Sequence, residues 1–238
     1  MRSSQSFTRS FFVALLIAGL AVMTGVASQA QTSVALGVYG AFNGTSSGDG
    51  TQQSPANQAG GLFEFRQIKN PLVGYEATYS YNRADQTYTS NSFPVCGVCT
   101  AGQSWTPVPA NAHEVTGDWV VSLHGANLRP FALAGGGVLL NVPSNAQATT
   151  TTLVTGCGGG NPGCTPGNVT TNTTPTSTST EGVFVYGAGL DWELLPHLGL
   201  RFQYRGNLYK APAIANAFSS TNAFTHNAEP VIGIYFRL

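Results

Sequence analysis

Apolar and polar residues alternate with period two in eight separated stretches of the chain, the pattern of strands that present one face to a greasy environment. The alternation predicts strands at about residues 33–43, 60–68, 72–83, 112–123, 129–141, 181–194, 199–209 and 226–238. The seventh sets Leu200, Phe202, Tyr204, Gly206 and Leu208 against Arg201, Gln203, Arg205, Asn207 and Tyr209. The last nine residues divide the same way, Pro230, Ile232, Ile234, Phe236 and Leu238 opposing Val231, Gly233, Tyr235 and Arg237. In each stretch the polar face is also the small-residue face. The apolar face is long, unbroken and aromatic near its ends, as lipid contact demands. Phe65, Tyr75, Phe131, Trp192, Phe202 and Phe236 are expected to form an aromatic girdle at one end.

The connections alternate in length. Lys69-Asn70-Pro71, residues 124–128 and Leu195-Pro-His-Leu198 are short, whereas residues 44–59, 84–111, 142–180 and 210–225 are long, polar and rich in Gly, Ser, Thr and Asn. Short turns at one end and long loops at the other are what a transmembrane β-barrel shows. The expected fold is therefore all-β, a closed eight-stranded antiparallel up-and-down transmembrane barrel, with residues 31–238 as one domain. The Thr-rich run from Thr149 to Thr180 is read as a mobile surface loop.

Composition narrows the environment. Charged residues make up only 8 % of the chain, and no segment after residue 30 approaches the ~20 apolar residues of a membrane helix. Residues 1–30 read as a secretory signal peptide: Arg2 and Arg9, an apolar run from Phe11 to Val26, then the small residues of Ser28-Gln-Ala30. A soluble secreted β-sandwich is the alternative that composition leaves open, and a soluble lipocalin-like carrier is a further functional reading.

Candidate chemistry lies in three places. Glu64, Arg66, Glu76, Glu114, Asp118, Asp191, Glu193, Arg201, Arg205, Glu229 and Arg237 are expected to face the lumen. An eight-stranded barrel is only wide enough for side chains to fill, so these charges must pair, and Arg205 is expected to reach Glu76 across the lumen. The cysteines fall in two long loops, Cys96 and Cys99 in one and Cys157 and Cys164 in the other, outside the predicted strands. In an exported chain disulfides are the default. A 157–164 bridge with a 96–99 bridge is favoured, bridges between the loops remain open, and four-Cys zinc or redox sites are the sharper alternatives. Ser122 with His124, or His226 with Glu229, can be assembled on paper into a hydrolase, but nothing sets a nucleophile, base and orienter together. No catalytic site, cofactor or metal is expected.

Two stretches carry a family resemblance: Arg129-Pro-Phe-Ala-Leu-Ala-Gly-Gly-Gly137 and the terminal strand, with Ile232, Ile234, Phe236 and Leu238 at the seventh-last, fifth-last, third-last and last positions. The chain resembles the small outer-membrane barrels of the OmpA, OmpX and opacity type, with Leu238 where that family usually ends in an aromatic. The resemblance implies an outer-membrane location in a Gram-negative-type bacterium, with lipid and lipopolysaccharide around the barrel. It also implies that the barrel-assembly machinery reads the terminal strand, and that the lumen is filled by ion pairs. No peptidoglycan-binding domain is expected after the barrel. The expected role is membrane integrity or adhesion-like surface interaction through the long loops, by a monomer without nucleic-acid partners and with an unidentified ligand. The alternative within such membranes is a lipid-modifying enzyme.

Overall fold

The structure, a computed structural model, describes residues 31–238 except 70–71, 91–98, 124–126, 158–166, 168 and 219, and leaves the side chains of 99–101 and 155–157 undescribed. The signal-peptide reading lies outside the described residues. Fourteen strands follow in chain order among them: β1 (Gln31–Asn43), β2 (Ser46–Gly48), β3 (Thr51–Pro55), β4 (Gln58–Ile68), β5 (Val73–Arg83), β6 (Gln86–Ser90) and β7 (Cys99–Val108). The second half adds β8 (Ala110–Ser122), β9 (Leu128–Pro143), β10 (Gln147–Cys157), β11 (Val169–Pro175), β12 (Ser179–Leu195), β13 (Leu198–Lys210) and β14 (Phe224–Arg237).

Eight of these close into an antiparallel barrel in the order β1-β14-β13-β12-β9-β8-β5-β4. They are the eight expected from the alternation. Closure leaves no edge, so every strand finds backbone partners on both sides. The facing follows the sequence pattern: in β13 Arg201, Gln203, Arg205 and Asn207 are buried inside, while Phe202, Tyr204 and Leu208 lie exposed outside. The closing strand turns Ile232, Ile234, Phe236 and Leu238 outward and buries Val231 and Tyr235.

Phe131 corrects the expected girdle. It is buried within the lumen, not on the lipid face. On β9 the outward positions Ala132, Ala134 and Gly136 are the small ones, so alternation there does not mark the lipid side. A Cβ on Gly189 would lie 2.4 Å from the Phe131 ring, so the ring occupies space that a glycine leaves open. Gly137 permits an equally close approach, since a Cβ there would meet the Val115 carbonyl at 1.9 Å.

Described residues of the long loops build a six-stranded sheet in the order β11-β10-β7-β6-β3-β2, so within the expected mobile run Thr149–Thr180 the residues up to Cys157 and from Val169 to Pro175 stand in strands. β10 and β11 pair from Gln147↔Pro175 to Leu153↔Val169. Threonine, β-branched at Cβ, suits such strands. The β2–β3 hairpin turns on Asp49 and Gly50, both at positive φ (48° and 75°), which is what the commonest two-residue hairpin turn requires.

This sheet extends the barrel wall upward, because β9 and β8 lead into β10 and β7 while β5 and β4 adjoin β6 and β3. Its inward face holds a second apolar cluster of Tyr88, Val108, Ala110, Ala148, Ile214, Ala215 and Phe218. The last three come from the connector between β13 and β14. That connector ties to both margins of the sheet, through a Thr176↔Ala215 bridge beyond β11 and an Asn222 Nδ2 hydrogen bond to Asp49 Oδ2 of 2.8 Å beyond β2.

Candidate functional site

The lower lumen is crossed by a lattice of charges set by strand register. Arg66 faces Glu76 across β4–β5 and donates from Nε to Glu76 Oε2 at 2.6 Å. Arg201 faces Asp191 across β12–β13 and donates Nε to Oδ1 at 2.7 Å and Nη2 to Oδ2 at 2.9 Å. The same guanidinium reaches across to Glu64 Oε2 at 2.9 Å and Glu76 Oε2 at 3.4 Å. Arg66 completes the lattice by bonding Asp191 at 3.2 Å. The Phe131 ring lies beneath both cations, 3.9 Å from Arg66 Cζ and 5.4 Å from Arg201 Cζ, a geometry in which the ring face attracts positive charge.

Higher in the lumen, Arg205 Nη2 donates to Glu114 Oε1 and to Thr116 Oγ1, both at 3.2 Å. This corrects the expected Arg205–Glu76 pair. Arg66 and Arg201 already hold Glu76 nearer the short-turn end, Arg201 lying four residues from Arg205 along β13, and Arg205 meets Glu114 of β8 instead. Asn207 Nδ2 donates to Glu114 Oε2 at 2.9 Å, and Asn227 Nδ2 to Glu229 Oε1 at 2.7 Å. Asp118, also buried, accepts from Thr116 at 3.0 Å.

Glu193 and Arg237 are not in the buried lattice. They lie half-buried at the short-turn rim, where Arg237 bonds Glu193 at 2.9 and 3.2 Å and Arg129 bonds it at 3.1 Å. Arg129 was absent from the lumen charges expected from the sequence. Its signal was the Asp191↔Arg129 register, which a strand-by-strand facing does not reveal.

Two cavities cap the lumen at opposite ends of this lattice. One, of about 30 Å³, is lined by Arg66, Asp191, Arg129 and Tyr235 among others. The other, of about 20 Å³, lies towards the loop end beside Glu114, Asn141, Asn227 and Glu229.

The paper hydrolases do not assemble. His226 points outward, within 2.9 Å of the Tyr186 hydroxyl, while Glu229 is buried inside. Ser122 is buried too, and His124 lies outside the described residues. Among the described residues no three His, Cys, Asp or Glu side chains converge as metal ligands. Cys96 and Cys164 lie outside the described residues. Cys99 and Cys157 stand within strands, contrary to the expectation that all four cysteines lie outside them, and their backbones are register partners across β7–β10.

Above the barrel, one row of the outer sheet runs Ser47, Gln52, Thr89, Trp105, Thr151 and Thr171 across all six strands, since each faces the next in register. The row carries no charge. On the opposite face Thr106 donates to Thr150 Oγ1 at 2.7 Å, which lies 2.7 Å from Thr174 Oγ1. Tyr88 donates to the Pro212 carbonyl at 2.6 Å and accepts from the Ile214 amide at 3.1 Å. Burial pushes its hydroxyl well above the usual tyrosine range, so it stays a donor.

No curated protein sequence matches the chain. Solved structures similar to it include Ail, the attachment invasion locus protein of Yersinia pestis, in complex with the heparin analogue sucrose octasulfate. That match has 14 % identity, covers 89 % of this chain and 100 % of that one, and has a TM-score of 0.43. Neisserial surface protein A matches at 11 % identity, over 89 % and 100 %, with a TM-score of 0.46. OprG of Pseudomonas aeruginosa matches at 12 % identity, over 87 % and 96 %, with a TM-score of 0.40. The profile of the family described as outer membrane protein beta-barrel domain matches residues 12–228. The eight strands close as that family's barrel does, and the chain belongs to the family and is a small barrel of the Gram-negative outer membrane.

Proposed function

We propose that this protein is a non-enzymatic surface-recognition barrel whose outer six-stranded sheet is the binding element. One observation carries the reading: the loop residues form a sheet with its own buried cluster, covered by the connector between β13 and β14. Ordered loops on a rigid scaffold favour binding, because little entropy is lost when a partner docks. The outward row around Trp105 gives such a partner an aromatic centre flanked by hydroxyls and amides, and Trp is a frequent energetic anchor at interfaces. The test is adherence of cells producing the protein to immobilised matrix proteins, glycans and bacterial cells. Adherence is expected above that of cells lacking it, and is lost in Trp105→Ser while unheated gel migration stays that of a folded barrel. Unchanged adherence after shortening both the β6–β7 and β10–β11 hairpins would overturn the reading.

A second role, membrane integrity, is favoured by the closed lumen. The salt bridges of Arg66 and Arg201 lie between the two cavities, and the lattice of Glu64, Arg66, Glu76, Asp191 and Arg201 acts as a plug. Planar-bilayer recording is expected to show no steady conductance. In this reading Ile232, Ile234, Phe236 and Leu238 present the assembly signal, and lipopolysaccharide surrounds the outer half of the barrel.

A further inference from the structure

The two stretches that build most of the outer sheet, residues 86–112 and 142–180, contain no Asp, Glu, Lys, Arg or His. With β2 and β3 added, none of the six strands carries a charged residue. The alternation along the strands sorts their hydroxyl groups. Ser104, Thr106, Thr150 and Thr152 point inward, are buried and bond one another, Ser104 with Thr152 at 2.9 Å and Thr106 with Thr150 at 2.7 Å. The outward residues Thr87, Thr89, Trp105, Thr149 and Thr151 are half-buried or exposed.

Trp105 stands among them with Thr89 of β6 and Thr151 of β10 as its register partners. Neighbouring strands lie roughly 4.8 Å apart, so a hydroxyl flanks the indole on each side at about one strand spacing. Thr87 and Thr149 repeat the hydroxyls two residues along the same strands. This face selects a ligand by what it lacks. Sulfated glycans, nucleic acids and anionic membranes are held by Lys and Arg, and the face has neither. A protein surface brings its own charges, and desolvating them against a face without counter-charges is costly. Uncharged hydroxyls that exchange water for equivalent partners meet no such penalty. The indole adds an apolar plane whose negative face attracts polarised C–H groups. A pyranose ring is complementary to both, with C–H groups on its flat side and hydroxyls around its edge.

With the outer sheet as the binding element, a reading on which this one rests, we infer that the face around Trp105 binds an uncharged glycan. One sugar ring stacks on the indole and shares its edge hydroxyls with Thr89 and Thr151. Gln52 of β3 and Thr171 of β11, each two strands from Trp105 in the same row, extend the uncharged polar surface on either side. A single stacked sugar binds weakly, and many copies of the barrel on one cell raise the avidity for a repeating polymer.

The test presents the full mature chain, in nanodiscs of zwitterionic lipid, to an array of neutral oligosaccharides built from glucose, mannose, galactose or N-acetylglucosamine. Heparin and a sialylated oligosaccharide serve as charged probes. Binding to at least one neutral series and to neither charged probe is expected. Because no charge pair forms, affinity should change less than about twofold between ~0.05 and ~0.5 M salt. Trp105→Ala should weaken binding at least about tenfold, and Trp105→Phe, which keeps an aromatic plane, should restore part of it. Thr151→Val keeps the β-branched shape, removes one hydroxyl and should weaken binding roughly threefold to tenfold; it is the second variant should Trp105→Ala not fold. No binding to any neutral series, binding to the charged probes alone, loss of binding at high salt, or equal affinity of wild type, Trp105→Ala and Thr151→Val would each overturn the inference. Cell adherence separates this failure from that of the wider reading. Adherence to protein-coated surfaces that is lost on shortening the β6–β7 and β10–β11 hairpins, beside a blank neutral array, rejects the glycan and keeps the sheet as the binding element. Adherence indifferent to that shortening rejects both.

Discussion

Arg201 is the residue whose removal the lattice tolerates least. Replacing it by Met keeps most of the aliphatic volume and deletes the guanidinium. Asp191 then loses both hydrogen bonds to Arg201 at 2.7 and 2.9 Å and keeps Arg66 at 3.2 Å, Glu64 loses at 2.9 Å its only cation contact among the described residues, and Glu76 keeps Arg66 alone. Removing one partner of a buried pair costs about 3–5 kcal/mol because a buried charge is stranded. Here three carboxylates lose a contact at once and Glu64 is left without a cation, so the upper end of that range is expected. With ~2 kcal/mol per molar urea as the slope, the unfolding midpoint in lipid vesicles should fall by roughly 2 M. The partner assignment is checked by a double-mutant cycle. Arg201→Met combined with Glu64→Gln should be non-additive by at least ~1 kcal/mol, since both touch one network. Arg201→Met with Glu114→Gln should be closer to additive, because Glu114 is held by Arg205. A loss under ~1 kcal/mol for Arg201→Met in a folded barrel, or equal coupling to Glu64 and Glu114, would refute the lattice as the source of stability.

Other measurements reach the remaining parts of the molecule. In a cycle on Arg205, coupling to Glu114 is expected and coupling to Glu76 should be much weaker, read by the same urea midpoints. Ile234→Arg places a cation on the outward face, where Ile234 is 48 % exposed, and should block insertion into bilayers because lipid penalises Arg there by roughly 2–4 kcal/mol; normal insertion would mean the strand's facing is wrong. Tyr88→Phe removes the hydrogen bonds to Pro212 and Ile214. It should cost about 1–2 kcal/mol locally and speed protease cleavage between β13 and β14 without altering barrel migration. Since Cys99 faces Cys157 in register, peptide mapping of unreduced protein is expected to find a bridge linking the β7 and β10 hairpins, and recovery of separate 96–99 and 157–164 rings would reject it.

The barrel strands were legible because each obeys a rule that is local. Along β5 or β13 the neighbour two residues away decides the face, and lipid on one side with a polar lumen on the other keeps that alternation clean. Asp49-Gly50, a strong hairpin signal, and the β-branched run Thr149–Thr152 also announced strands in the loops. They were outweighed by polar composition, which does not distinguish a solvated sheet from a mobile loop. β9 shows the opposite limit: with Ala132, Ala134 and Gly136 outside, only packing over Gly189 told Phe131 to face inward.

What tertiary structure alone decided was the identity of partners. The sequence by itself determined which charges enter the lumen, for Glu64, Arg66, Glu76, Glu114, Asp118, Asp191, Arg201, Arg205 and Glu229 are all buried as the alternation requires. It did not determine that Arg205 meets Glu114 and not Glu76, or that Glu193 and Arg237 meet Arg129 at the rim. Pairing across the lumen depends on the relative height of residues on strands far apart in the chain. That height is set by the cumulative register of the strand pairs between them, a property of the closed sheet that no single segment carries.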